Sequence, residues 1–340
     1  ACEIRRHGGP AGRPQPQRFP LISMFAPLLM GALMFAITQN ALSILFIALS
    51  PLMMLGSYFE NRRATAKAIQ QATQTFRSSL RDLAVQLQYA NEMEREQRRH
   101  EHPAVAEVAG AVRHLTPLVW TRRPEHRSFG DSRLGLGTLP SRNTVKLPQT
   151  NNTLPELWKE LHDVAGEFRM VDRVPVVASL SECGNVGVAG PAGVAHDIAS
   201  ATVAQYVGLH SPAELVLAAV VSATSAERWN WLKWLPHSTS DFSPLACEHL
   251  AATANSHSSL IASLEDLIAN RSGNLSTSKT DRPLPLVLVV VQDEAAIERA
   301  RLVRIIETGP VVGVHTVWVS PARERLPAAC RTYVEIDANT

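Results

Sequence analysis

Val186-Gly187-Val188-Ala189-Gly190-Pro191-Ala192-Gly193-Val194-Ala195 is the stretch on which the fold turns. Its first four residues read as a strand, Gly190 to Gly193 as a turn, and Ala192 onward as a helix reaching Leu209. Val194, Ile198, Thr202, Val203, Tyr206 and Val207 line one stripe of that helix. A strand that ends in glycines and opens into a helix offers free backbone amides and the positive end of a helix dipole, which together cradle phosphate. A loop that holds a nucleotide for hydrolysis also needs a lysine for the outer phosphates and a Ser or Thr for magnesium. Pro, Ala, Val and Ala fill those positions here, whichever register is chosen. Without the lysine, charge developing on a transferred phosphoryl group would go unneutralised.

Downstream, the apolar run Leu284 to Val291 leads into Gln292-Asp293-Glu294. This reads as the second half of such a site, in which a strand hands an Asp to magnesium and a Glu to the attacking water. The plainer reading is an acidic helix N-terminus, which the macrodipole favours. Gly187, Gly190, Gly193, Asp293 and Glu294 are thus the positions of a degenerate nucleotide loop.

Around these two segments the chain alternates between strands and helices. Strands are expected at Val174–Leu180, Val186–Ala189, Leu215–Val221, Leu284–Val291 and Val311–Val319. Helices are expected at Ala192–Leu209, Leu260–Asn270 and Ala295–Glu307, with Ser272 to Asp281 a polar surface loop. Continuous apolar strands are those buried on both faces, so residues 174–340 are expected to form an α/β domain with a mostly parallel sheet under helices.

Upstream, Glu60 to Arg99 holds no Pro or Gly. Ile69, Phe76, Leu80, Leu83, Leu87 and Ala90 make a narrow apolar seam on an otherwise polar helix. Residues 60–102 are therefore a helical stalk, forming either a coiled coil or one long helix lying on its own domain. His102-Pro103 ends it. A linking subdomain is expected over 103–173, with helices at Ala104–Leu115 and Leu154–Phe168, a strand at Arg133–Thr138, and loop from Ser141 to Asn152. Gly135 and Gly137 in that strand would bring backbone close to a neighbour.

Phe19 to Phe59 contains no Asp, Glu, Lys, Arg or His, a length that fits two helical crossings of a bilayer. Leu21–Ile37 and Ala41–Phe59 would be the arms of a transmembrane hairpin and Thr38-Gln39-Asn40 its turn. Arginines before the hairpin, and Arg62, Arg63 and Lys67 after it, would keep both termini cytoplasmic at an inner (cell) membrane. Residues 1–18 would form a disordered basic arm.

The formal net charge of +2 over 340 residues gives no global attraction to nucleic acid. Cys2, Cys183, Cys247 and Cys330 lack paired spacing, as reduced thiols would, and neither a metal box nor a Ser/His/Asp arrangement stands out. Trp229-Asn-Trp231-Leu-Lys233-Trp234-Leu-Pro236-His237 is the densest aromatic cluster. It reads as a short helix, stopped by Pro236, whose indoles either fill a groove beside the sheet or dock on a partner, core packing being the plainer reading.

That tryptophan cluster resembles the signature of EccC-type proteins of type VII (ESX) secretion systems, members of the FtsK/SpoIIIE superfamily. Trp120-Thr-Arg-Arg123-Pro124 with Phe129, and Arg133-x-Gly135-x-Gly137, stand in the order that family shows. The resemblance implies a membrane hairpin, a stalk, a degenerate P-loop NTPase-like domain and then FtsK-type motor domains. On this view the chain is the amino-terminal portion, which anchors and couples a motor that exports small helical WXG-type proteins. Its implied partners are other type VII membrane-complex proteins, motor domains in cis or in trans, the lipid bilayer and, indirectly, the substrates. It would be oligomeric in the complex, and ATP and magnesium would belong to the motor domains, with no cofactor in this segment. The competing readings are an active membrane-bound FtsK-like NTPase or DNA translocase, and an unrelated membrane-tethered binding module.

Overall fold

The computed structural model describes residues 3–5, 29–30, 33, 36–37, 41–147, 154–274, 283–295 and 298–337. In chain order the elements begin with β1 Glu3–Arg5, α1 Ala41–Glu101, α2 Val105–His114, β2 Asp131–Pro140, β3 Thr144–Lys146, α3 Pro155–Glu167 and β4 Met170–Ser179. They continue with α4 Leu180–Cys183, β5 Val186–Ala189, α5 Ala192–Leu209, β6 Leu215–Val220, α6 Ala226–Trp229 and β7 Leu250–Ala251. Last come α7 Ala254–Gly273, β8 Leu286–Gln292, α8 Arg299–Thr308, β9 Val314–Ser320 and β10 Thr332–Glu335. The chain divides into two compact units: Ala1–Arg95 with Leu139–Asp172, and Glu96–Thr138 with Arg173–Thr340.

In the first unit the seam finds its partner. Phe76, Leu80, Leu83 and Leu87 of α1 are buried with Leu157 and Leu161 of α3, and Leu154, Trp158, Val164 and Phe168 pack around them. The seam therefore lies on a helix of its own unit. Two turns beyond Leu87 on the same stripe, the buried Glu94 carboxylate accepts hydrogen bonds from Ser141 Oγ at 2.7 Å, Arg142 N at 2.8 Å and Asn143 Nδ2 at 3.0 Å. Three donors supply what water would otherwise give this buried anion. The expected loop from Ser141 carries β3, which pairs in parallel with β1.

The expected transmembrane hairpin is corrected. Among the described residues no helix is long and apolar enough to cross a membrane. Most of the first arm, the turn and the basic arm fall outside those residues. The second arm is the beginning of α1, which runs unbroken into Glu60, Arg62, Arg63 and Lys67. Further along, the same helix packs Phe76, Leu80, Leu83 and Leu87 on α3. The expected placement as a multi-pass inner-membrane protein with cytoplasmic termini, and the lipid bilayer as partner, are withdrawn with the hairpin.

The second unit is built on a six-stranded sheet ordered β10-β5-β9-β8-β6-β7. Its strands are parallel throughout, with Val291 opposite Val220 on one side and Trp318 on the other. Every residue of β5, β6 and β9 is buried, as the unbroken apolar runs require. One face packs against Ala195, Ala199, Val203 and Tyr206 of α5 and against Trp229. The other packs against Leu260, Ile261 and Leu264 of α7 and Leu302, Ile305 and Ile306 of α8. The strand expected from Val311 starts instead at Val314, because Gly309–Val312 form a 3-10 turn closed by Gly313 at φ 77°.

β9 lies between β5 and β8, so the glycine turn and Asp293 leave the same sheet edge one strand apart. The chain leaves β5 through α5 toward β6, but leaves β9 in the other direction toward β10. Such a reversal opens a crevice at the carboxyl ends of the strands, the usual ligand position in open α/β sheets.

Candidate functional site

The glycine turn is short. β5 ends at Ala189 and α5 begins at Ala192, leaving Gly190 and Pro191 between them. Pro191 is the N-cap residue, has no N–H and makes no side-chain cap. Gly190, at φ 152°, adopts a backbone that suits glycine, and a Cβ there would lie 2.8 Å from Ile336 Cβ. Ile336 is held in place by its own N–H, which donates to Ala189 O at 2.9 Å. The residue following β10 therefore sits directly on the turn. Gly187 has a packing role, since a Cβ would come within 2.9 Å of Leu326 and 3.0 Å of Tyr333, whereas Gly193 opens to space near Arg228.

On the other side of β9, the Asp293 carboxylate is almost completely buried. Arg299 pairs with its Oδ1, and Arg325 Nε lies 2.6 Å from its Oδ2. The Arg299 guanidinium also sits 5.5 Å above the centre of the Trp318 ring and donates to the carbonyl of Arg325. Glu294 is exposed. Gln292 Oε1 accepts from the hydroxyl of Ser225 and the N–H of Ser222, tying the loop after β6 to the end of β8. The two arginines were not singled out in the sequence. The available signal was an acidic turn followed closely by Arg299, Arg301 and Arg304.

The tryptophan cluster separates into buried and exposed parts. Trp229 is fully buried, with the His196 ring 4.5 Å away edge-on and Trp231 stacked at 6.4 Å. Trp231 is half-buried against the sheet core, whereas Trp234 is 79% exposed. Lys233 and Pro236 are exposed, and the Lys233 ammonium lies 5.3 Å over the Trp234 ring. Trp229 and Trp231 therefore lie beside the sheet, and Trp234 does not. The element is one turn of α6 followed by a 3-10 turn over Asn230–Trp234.

Residues far apart in sequence meet behind this cluster. The Trp120 ring meets His237 edge-on at 6.3 Å, and its Nε1 donates to Val207 O at 3.1 Å. Arg123, beside the half-buried Pro124, reaches Glu214 Oε1 at 2.9 Å. His237 Nε2 donates to the carbonyl of His210 at 2.8 Å. Gln205 binds the backbone N–H and C=O of Arg133 at 3.0 and 2.8 Å, imitating a strand partner for β2. Gln205 and Tyr206 carried no sequence signal beyond their place on α5, and His210, the residue that ends it, carried none. Gly137 behaves as the motif suggested, with a Cβ there 2.8 Å from Val176, while Gly135 has nothing within 4 Å.

The chain is 20% identical over 297 residues to an ESX secretion system protein EccC of Geobacillus thermodenitrificans, a match covering 86% of this chain and 20% of that protein. It is 26% identical over 230 residues to the ESX-4 secretion system protein EccC4 of Mycobacterium tuberculosis, covering 65% of this chain and 16% of the relative. The chain is similar to EccC proteins. It spans about a fifth of the length of those relatives. Among solved structures, EssC (ATPases 2 and 3) from Geobacillus thermodenitrificans aligns at a TM-score of 0.41 and 14% identity, covering 65% of this chain and 40% of that one. No family model matches.

Proposed function

We propose that this chain is a coupling segment of a type VII secretion motor, not a nucleotide hydrolase in its own right. It would transmit movement between FtsK-type motor domains, in cis or in trans, and the other proteins of an ESX complex. The exported cargo would be small helical WXG-type proteins. The observation that carries the reading is Asp293. In a sheet of NTPase-like order, the carboxylate at the metal position is already paired with Arg299 and Arg325. Coupling needs a rigid body with no catalytic residue, and a doubly covered parallel sheet supplies one.

The residues present do not fit a magnesium-nucleotide. The turn after β5 lacks lysine and hydroxyl, and Ile336 packs against its first glycine. The test is Glu294→Gln in a strain that depends on this gene. Glu294 would activate water in a hydrolase, and it is exposed here, so the change should not disturb packing. Export should continue, and the purified chain should release phosphate from ATP at the background rate. Loss of export together with measurable hydrolysis by the wild-type chain would overturn the reading.

A further inference from the structure

We propose that Arg299 and Arg325 replace the divalent cation of the fold family, so that this sheet edge is permanently neutralised from within and closed to metal. The inference shares with the coupling reading the absence of hydrolysis, and adds what holds the edge together instead.

A buried carboxylate must be neutralised by a paired charge or by protonation. In a metal-dependent site a dication does this, and magnesium demands near-octahedral oxygen ligands with water or phosphate completing the shell. Here two guanidinium groups bring the same total charge to one carboxylate, one on each oxygen. Each oxygen has its cation, and a metal approaching either would meet a guanidinium already in contact.

The clamp also ties together pieces that a bound nucleotide would otherwise gather. The Asp293 N–H donates to Val319 O at 2.9 Å, fixing the end of β8 to β9. Arg299 comes from the first turn of α8, and Arg325 from the 3-10 turn Arg323–Arg325 between β9 and β10. Stacking over Trp318 and the bond to the Arg325 carbonyl hold Arg299 at this angle. The same connection leads through β10 to Ile336, seated on Gly190. Both halves of the former site are therefore closed by one continuous segment, residues 323–336. The edge has one arrangement, and nucleotide is not needed to produce it.

The test uses the whole 340-residue chain and Mn2+ as the probe, followed by water-proton relaxation, with and without ATP. Wild type should bind no Mn2+ at millimolar concentration. Asp293→Asn and Arg325→Gln should each lower the melting midpoint, and the double variant should lose less than the sum, because both changes break one contact. Mn2+ that binds wild type and is lost in Asp293→Asn would overturn the proposal, as would losses that simply add. If Arg325→Gln does not fold, Arg325→Lys takes its place in the cycle, and the Mn2+ result on wild type and Asp293→Asn stands by itself. The measurement is made on purified protein, so it can fail while export in cells is unaffected, and the reverse.

Discussion

His237 donates from Nε2 to the backbone carbonyl of His210 at 2.8 Å, and neither imidazole is arranged to take a second proton. His210 accepts from the Gly130 N–H at Nε2, at 3.0 Å, so its proton sits on Nδ1, 2.9 Å from Tyr206 O. Nδ1 of His237 is buried without a hydrogen bond among the described residues. Burial pushes His210 down to about 4, against a smaller upward pull from the Tyr206 carbonyl, and burial also lowers His237. The folded state therefore resists protonation and the unfolded chain does not. Stability should be complete above the ordinary histidine value and fall as pH drops from about 6.5 toward 4, by on the order of 3 kcal/mol for His210 alone. Urea midpoints measured across that range check this. His210→Gln, less stable at neutral pH, should show a shallower decline, and an unchanged slope would count against the assignment.

Trp229 and Trp234 share a motif and should behave oppositely. Trp229 is fully buried against the sheet core, while Trp234 is 79% exposed under Lys233. Trp229→Ala should cost about 3–5 kcal/mol, the range for truncating a buried aromatic. Trp234→Ala should stay within about 0.5 kcal/mol of wild type, as surface changes do. Thermal melts of both variants decide the matter, and equal losses would show that Trp234 is covered in the protein as studied.

Gly190 should tolerate no side chain. At φ 152° an L-residue is strained, and its Cβ would press on Ile336 Cβ at 2.8 Å. Gly190→Ala should destabilise by about 1–3 kcal/mol through strain and overpacking together. Gly135→Ala, with nothing within 4 Å, is the control and should melt close to wild type. Adding Ile336→Ala to Gly190→Ala should recover part of the loss; if it recovers nothing, contact with Ile336 is not what makes the glycine necessary.

Much of the sheet could be read from sequence because its strands are apolar from end to end. The bounds of β5 and α5 match the expectation residue for residue, since Gly190 and Pro191 mark the junction. β10 was not foreseen. Thr332-Tyr-Val-Glu335 is an edge strand with alternating exposure, and an isolated four-residue segment of that kind carries little pattern. The Asp293 clamp was invisible for a different reason. An acidic residue after a buried strand has the same sequence whether a metal or an arginine faces it, and Arg325 lies 32 positions away. The motif's spacing does not say which indole a 3-10 turn points outward, so the sequence leaves packing and docking both open for Trp234. The aliphatic seam of α1 showed clearly in its periodicity, but periodicity alone left its partner open.

That seam gives the last prediction, because the two faces of α1 differ sharply. Leu83 is buried with Leu157 and Leu161 of α3, whereas Val85, Tyr89 and Met93 recur at four-residue steps on an exposed face. Removing the Leu83 side chain beyond Cβ loses transfer energy and leaves a cavity between two helices, which typically costs about 2–5 kcal/mol. Hydrogen exchange locates the effect. Leu83→Ala should accelerate exchange across Pro155–Glu167, because α3 has α1 as its main apolar support, and should leave β8 protected. Tyr89→Ala should leave exchange in both regions as it was. Were Tyr89→Ala instead to loosen α3 while Leu83→Ala did not, the helix would be packed in the opposite register, and the burial assigned to Phe76, Leu80, Leu83 and Leu87 would be wrong.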